Sequence, residues 1–175
     1  NWIFGPYDGV VSCIVGLVLV TAGLLSSSLH LGHPERAWRA FSQWRTSWLS
    51  REGVVAVLTY PAALLFTAGW IPGLLPPELM PISALATAIM CMLTVVCTGM
   101  IYASLRTIPR WHNGWVVPVY VLLSLASGGL LCLLTLVSAG RASMLALMMI
   151  LLVLLLTWGT KWLYWQFIDG QKPES

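Results

Sequence analysis

Charged residues are scarce in this 175-residue chain. Asp, Glu, Lys and Arg together make up 9% of it, whereas hydrophobic residues make up 58%. Soluble domains carry about 25% charged residues, because their surfaces face water. The composition therefore excludes a soluble domain and indicates a helical integral membrane protein. The formal net charge of +3 is also too small for a phosphate-binding face, so no nucleic-acid partner is expected.

Histidine and cysteine, the usual protein ligands of metals and haem, are also few. The four cysteines lie inside apolar runs and form no Cys-x-x-Cys pair, so we expect neither a zinc site nor an iron–sulfur cluster. The histidines are His30, His33 and His112, all at one predicted side of the membrane. A haem-carrying anchor of the cytochrome b type needs paired axial histidines from facing helices, so no haem is expected. A single haem stays open if His112 approaches His30.

Five apolar segments are long enough to cross a bilayer as helices, which takes about 20 residues each. They cover residues 10–31, 53–71, 82–105, 115–137 and 142–165. The fold class predicted from them is all-α integral membrane: a polytopic helix bundle with five transmembrane helices in a single transmembrane domain. Because the sequence begins at Asn1 rather than Met and ends in a polar stretch, we expect a fragment of a longer protein.

The basic residues sort to one side of these spans. They follow the first span (Arg36, Arg39, Arg45, Arg51), follow the third (Arg106, Arg110) or lie at the end of the fifth (Lys161, Lys172). This side holds eight of the nine basic residues, and Arg141 alone lies opposite. By the positive-inside rule, the side that carries His30 faces the cytoplasm, as expected for a multi-pass protein of a bacterial inner membrane.

The connection after the first span is richer than a simple linker. In residues 34–45, Ala, Trp and Phe recur at helical spacing between Glu, Arg, Ser and Gln, which predicts a short amphipathic helix in the membrane interface. Its face with Arg36, Arg39 and Arg45 is a candidate surface for docking a partner subunit or anionic lipid. Ser50 is expected to cap the second span, with Glu52 in its first turn.

His30 and Glu52 are the ionisable residues nearest the apolar interior at this side of the membrane. An ionisable group at such depth is a functional hypothesis by default. A histidine can hydrogen-bond a quinone carbonyl and titrates near physiological pH, and a carboxylate can relay protons to water. Together the two would exchange protons with a quinone during its reduction or oxidation. No charge lies at the centre of any span, which disfavours the alternative of a transporter or channel. A purely structural anchor remains a further alternative.

Several motifs resemble the membrane-anchor subunits of the dimethyl sulfoxide reductase family, which belong to the wider group of polysulfide-reductase-type quinone-reactive anchors. The most specific are residues 28–32 (Ser-Leu-His-Leu-Gly), the Arg-rich segment that follows and residues 47–52 (Ser-Trp-Leu-Ser-Arg-Glu). Residues 100–111 and 164–169 also fit the family pattern. The resemblance therefore touches most of the chain.

The resemblance implies a quinone-binding anchor without haem, in which the five helices here, at about 20 residues a span, belong to a bundle of about eight. Its quinone, ubiquinone or menaquinone, would exchange electrons with an iron–sulfur subunit that serves a molybdopterin catalytic subunit. The family's quinone-site histidine and acid map onto His30 and Glu52. Arg51 is a further candidate for orienting the acid, and Tyr102 for lining the pocket.

Orientation separates two subtypes within the family. Dimethyl sulfoxide reductase-type anchors oxidise quinol and present the His-Leu-Gly end away from the cytoplasm. The charge pattern here places His30 on the cytoplasmic side, which resembles the anchor of membrane-bound sulfite dehydrogenase. The expected function is therefore to pass electrons from cytoplasmic sulfite oxidation into the quinone pool, as a subunit that is not catalytic on its own. A quinol-oxidising anchor and a haem b-carrying anchor are the alternatives.

Overall fold

The computed structural model describes residues 6–29 and 34–171, and the regular secondary structure within them is helical. Five long helices are α1 (Pro6–Leu29), α2 (Trp48–Gly69), α3 (Leu79–Ala103), α4 (Val116–Ser138) and α5 (Met144–Asp169). A 3₁₀ helix, Pro34–Gln43, lies between α1 and α2. All five α-helices are long and apolar enough to span a membrane, which confirms the all-helical membrane fold class.

The first three helices begin three to five residues before the predicted spans and end two residues before them, α4 lies within one residue of its prediction, and α5 begins two residues later and ends four residues later than predicted. Ser47, not Ser50, is the N-cap of α2: its backbone is extended and its hydroxyl accepts a hydrogen bond from the Ser50 amide at 3.4 Å. The prediction for Ser50 was wrong because α2 begins at Trp48. Ser143 caps α5 in the same way, accepting from the Ala146 amide at 3.1 Å.

Most apolar side chains on these helices are exposed. Leu155 is 71% exposed, Trp158 65% and Ile82 64%, although all three lie within long apolar helices. Such a surface is unfavourable in water but favourable against lipid tails, because hydrocarbon solvates it. The outward-facing leucines and tryptophans are thus the physical counterpart of the low charge content.

The chain forms two compact units, Asn1–Thr94 and Val95–Ser175. In the first, the Thr21 hydroxyl of α1 and the Tyr60 hydroxyl of α2 are hydrogen-bonded at 2.8 Å. The Trp70 ring packs directly against Gly9, where any side chain would collide with it. Small residues and interhelical hydrogen bonds commonly hold membrane helices together, because lipid offers little hydrophobic driving force.

In the second unit, α4 and α5 pack side by side. The buried Thr157 hydroxyl of α5 lies 3.2 Å from the Leu122 carbonyl of α4, within hydrogen-bonding distance. Gly99 of α3 lies so close to the Val117 backbone that an added Cβ would be only 3.2 Å from its Cα. Through these close approaches, the end of α3, the start of α4 and the last turns of α5 surround one cavity.

Candidate functional site

The predicted site residues fall into three groups. His30 and His33 lie outside the described residues. Arg51 and Glu52 lie near the start of α2, whereas Tyr102 lies at the end of α3 in the second unit. The three arginines of the predicted docking face lie in the connection that leads into α2: Arg36, Arg39 and Arg45.

This connection differs from the predicted amphipathic helix in its type and its length. It is a 3₁₀ helix that ends at Gln43, because the amides of Thr46 and Ser47 both turn back to the Gln43 carbonyl, at 3.1 and 3.0 Å. The Phe41 ring packs over Gly53 of α2, where an added Cβ would meet it at 3.3 Å. The turn therefore connects the 3₁₀ helix directly to Ser47, the N-cap of α2.

The arginines of this connection are exposed and lie beside exposed aromatic rings. The guanidinium of Arg39 is 5.6 Å from the centre of the Trp38 ring, and that of Arg45 is 5.6 Å from the Trp44 ring. Arg36 lies 3.8 Å from the Glu35 carboxylate, but both side chains are more than half exposed, so the pair contributes little stability. We name this segment, with Arg36, Arg39 and Arg45, the basic surface.

Arg51 holds the turn that follows the basic surface. Its Nε donates to the Trp44 carbonyl at 3.0 Å, and one terminal nitrogen donates to the Arg45 carbonyl at 2.6 Å. Its guanidinium also lies 4.2 Å from the centre of the Trp48 ring. These contacts fix the basic surface to the start of α2, whereas the suggested role of Arg51 in orienting Glu52 stays a prediction.

Ser50 is buried at the start of α2, and Glu52 is half-buried like its neighbours Arg51 and Gly53. Ser50 is 1% exposed, and its hydroxyl accepts a hydrogen bond from the Gln43 amide at 3.2 Å, which ties the end of the 3₁₀ helix to α2. Glu52 is half-buried and follows the first turn of α2, which contains no acidic residue. Its carboxylate is therefore one turn further along the helix than the sequence predicted.

Tyr102 lines a cavity of about 270 Å³ in the second unit. Its ring stacks on Tyr120 with centres 5.4 Å apart and meets Trp111 edge-on at 5.2 Å. Side chains from α4 and α5 complete the wall: Val116, Val119, Leu123, Lys161 and Tyr164. The sequence predicted that Tyr102 lines a quinone pocket, and that role stays a prediction; none of the other residues that line this cavity was among the predicted site residues.

Lys161 is the most instructive of the missed residues. The predicted fifth span, 142–165, already contains it near its end, and α5 continues to Asp169, eight residues beyond the lysine. The available signal was the apolar and aromatic run that continues from Trp162 to Ile168 beyond the lysine. A lysine followed by such a run is still inside the helix and can face a cavity.

His112 is the one histidine within the described residues. Its Nδ1 lies 2.7 Å from the Ala103 carbonyl, in the connection between α3 and α4. The described residues contain no group of three or more His, Cys, Asp or Glu side chains that could hold a metal ion. The described residues offer a half-buried acid near the start of α2, a basic surface and an aromatic cavity with one amine.

Five helices that are long and apolar enough to cross a membrane define a polytopic membrane protein. Residues 8–165 match the family model described as the DMSO reductase anchor subunit (DmsC). The chain belongs to this family, as its motifs predicted.

Curated relatives agree with the family. The chain is 41% identical over 133 residues to the sulfite dehydrogenase C subunit of Allochromatium vinosum, which covers 69% of this chain and 40% of that protein. It is 30% identical over 124 residues to the anaerobic dimethyl sulfoxide reductase C chain of Escherichia coli, a match that covers 69% of this chain and 42% of that protein. The sequence thus spans about two fifths of the length of these relatives. No solved structure matches it significantly.

Proposed function

We propose that this chain belongs to the quinone-binding membrane anchor of a respiratory molybdoenzyme complex. In this complex an iron–sulfur subunit would carry electrons between a molybdopterin catalytic subunit and the quinone pool. The observation that carries the proposal is the family match over residues 8–165, which includes both the basic surface and Glu52. The quinone would be ubiquinone or menaquinone.

Within this proposal, His30 hydrogen-bonds a quinone carbonyl and Glu52 exchanges protons between the quinone site and the cytoplasm. The half-buried position of Glu52 supports this role, because a partly desolvated carboxylate near a membrane surface can reach both lipid-borne substrate and water. Arg51 and Tyr102 are the further quinone-site candidates. The basic surface would meet the iron–sulfur subunit.

We assign sulfite as the substrate of the catalytic subunit. The identity to the relative named for sulfite dehydrogenase is 41%, against 30% and 27% to two relatives named for anaerobic dimethyl sulfoxide reductase. Oxidation of sulfite with water gives sulfate, two protons and two electrons, and a quinone takes up two electrons and two protons to become quinol. The E. coli relatives favour the second candidate, a quinol-oxidising anchor for dimethyl sulfoxide reduction.

The substrate assignment is tested in membrane vesicles that carry the whole complex. We expect sulfite to reduce the quinone pool in everted vesicles, in which the cytoplasmic face is accessible, and vesicles lacking the anchor to show no such reduction. Quinone reduction is followed by its ultraviolet absorbance. Quinol oxidation by dimethyl sulfoxide, without any response to sulfite, would instead establish the second candidate.

The orientation of the basic surface is tested by proteolysis. We expect trypsin to cleave the connection at Arg36 or Arg39 in everted vesicles and not in right-side-out vesicles, because eight of the nine basic residues lie on the predicted cytoplasmic side. Vesicles stripped of peripheral subunits avoid protection by the docked partner. Cleavage from outside in right-side-out vesicles would contradict the cytoplasmic assignment.

A further inference from the structure

The aromatic cavity of the second unit is an open cleft lined by residues of α3, α4 and α5 and by Trp111 of the connection between α3 and α4. Tyr102 comes from α3, Val119 and Tyr120 from α4, Lys161 and Tyr164 from α5. Its volume of about 270 Å³ lies just below the roughly 300–1,000 Å³ of pockets that hold drug-sized ligands. The cavity can therefore take one ring system, while a long apolar tail would have to extend along the helices.

Hydrogen bonds fix the wall of this cavity. The Tyr164 hydroxyl donates to the Arg110 carbonyl at 2.9 Å, and the Asn113 side-chain amide donates to the same carbonyl at 2.7 Å. The connection that carries Trp111 is thereby tied to α5. Because the Tyr164 hydroxyl already donates to Arg110, it stiffens the wall and offers little to a ligand as a donor.

The Lys161 amine is the charged group at this cavity. It lies 5.3 Å from the centre of the Tyr164 ring and 5.6 Å from that of Trp165. Across residues 6–29 and 34–171 it has neither a hydrogen bond nor an ion pair. The one acid in the described part of the second unit, Asp169, lies eight residues further along α5. A half-buried amine without an acceptor is suited to bind one from a ligand.

The depth of Lys161 in the membrane limits what that ligand can be. Eight residues of α-helix rise by about 12 Å, and all of α5 by about 39 Å, against a hydrocarbon core of about 30 Å. If α5 overhangs the core equally at both ends, the Lys161 backbone lies several ångströms inside it. A ligand that enters the cavity from the lipid must be soluble in lipid and must bring a hydrogen-bond acceptor to the amine, which can extend from this depth toward the head groups.

We infer that this cavity binds the head group of the quinone, with the Lys161 amine donating to one of its carbonyl oxygens. The inference rests on the proposed function, because it takes a quinone to be the substrate. A planar quinone ring can pack against the stacked pair of Tyr102 and Tyr120, and a carbonyl gives the amine its missing acceptor. A phospholipid phosphate would also accept from the amine, but its tetrahedral head group has no flat face to place against the tyrosines.

The test uses the assembled complex in detergent with decylubiquinone and menadione as probes. Lys161→Met keeps much of the side-chain length and removes the charged donor. We expect KM and the dissociation constant for the better probe to rise about tenfold or more, the loss of one hydrogen bond from a charged donor. Arg141→Gln, in the α4–α5 connection, removes a positive charge from the same unit away from the cavity and is expected to change neither.

A second variant keeps the lysine and fills the cavity. Leu123 lines it and is 46% exposed, so Leu123→Trp should be tolerated and should also weaken probe binding. Two results would overturn the inference: unchanged probe binding in both variants, or loss of a bound anionic phospholipid by native mass spectrometry with probe binding intact. If neither probe binds even the unaltered complex, the proposed function itself fails, which separates the two failures.

Discussion

Glu52→Gln is expected to abolish quinone-linked turnover while leaving the catalytic subunit active with a soluble dye. The amide keeps the size of the carboxylate but cannot carry a proton. A positioned acid or base typically contributes about 10²- to 10⁴-fold to a proton-transfer step, so we expect at least a hundredfold loss. His30→Ala removes the proposed hydrogen bond to the quinone carbonyl and is expected to have a similar effect. Both rates are measured in the same membranes, by quinone absorbance and by dye reduction.

The position of Glu52 gives this prediction a matched control. Glu78 is exposed in the connection between α2 and α3, at the other end of α2 from Glu52. Glu78→Gln makes the same chemical change and should leave both activities as they are. If Glu52→Gln and His30→Ala both keep quinone-linked turnover, the assignment of the quinone site is wrong. If the dye activity falls as well, the variants have disturbed assembly, and the amount of bound catalytic subunit will show it.

The sequence predicted the membrane fold well because hydropathy and span length depend only on the local run of residues along the chain, not on how the helices pack. It located Glu52 near the start of α2 from the acid's place beside an apolar run. It missed the cap, because Ser47 and Ser50 are both suitable and only the backbone shows that Ser47 is the extended residue. It also could not show that Arg51 binds the turn, since the acceptors are the Trp44 and Arg45 carbonyls.

The cavity around Tyr102 was beyond sequence reasoning for a related reason. Its wall combines the end of α3 with the start of α4 and a lysine of α5, residues that are up to 62 positions apart in the chain. Periodicity indicates which residues share one helix face, but not which faces meet. That depends on close approaches such as Gly99 against the Val117 backbone, which become visible only in three dimensions.

Replacing Arg36, Arg39 and Arg45 together by glutamine is expected to release the iron–sulfur subunit, and the catalytic subunit with it, from the membrane. The three side chains are exposed, and Glu35 is the acid within the 3₁₀ helix that could offset their charge. Arginine is enriched at interface hot spots, and removal of such a residue often costs about 2 kcal/mol or more of binding free energy. Loss of three should lower the affinity by at least about a hundredfold. Sedimentation of membranes, followed by dye activity in pellet and supernatant, measures the release.

Arg51 is left unchanged in this variant, because its hydrogen bonds to the Trp44 and Arg45 carbonyls hold the turn and do not depend on the three replaced side chains. The same three positions changed to lysine keep the charge but lose the planar fork of the guanidinium. Retention of the partner with lysine and release with glutamine would show that charge dominates. Release in both would point to bidentate contacts with carboxylates of the partner. If the glutamine variant keeps its partner at physiological salt and loses anionic lipid instead, the basic surface faces the bilayer and another part of the protein docks the iron–sulfur subunit.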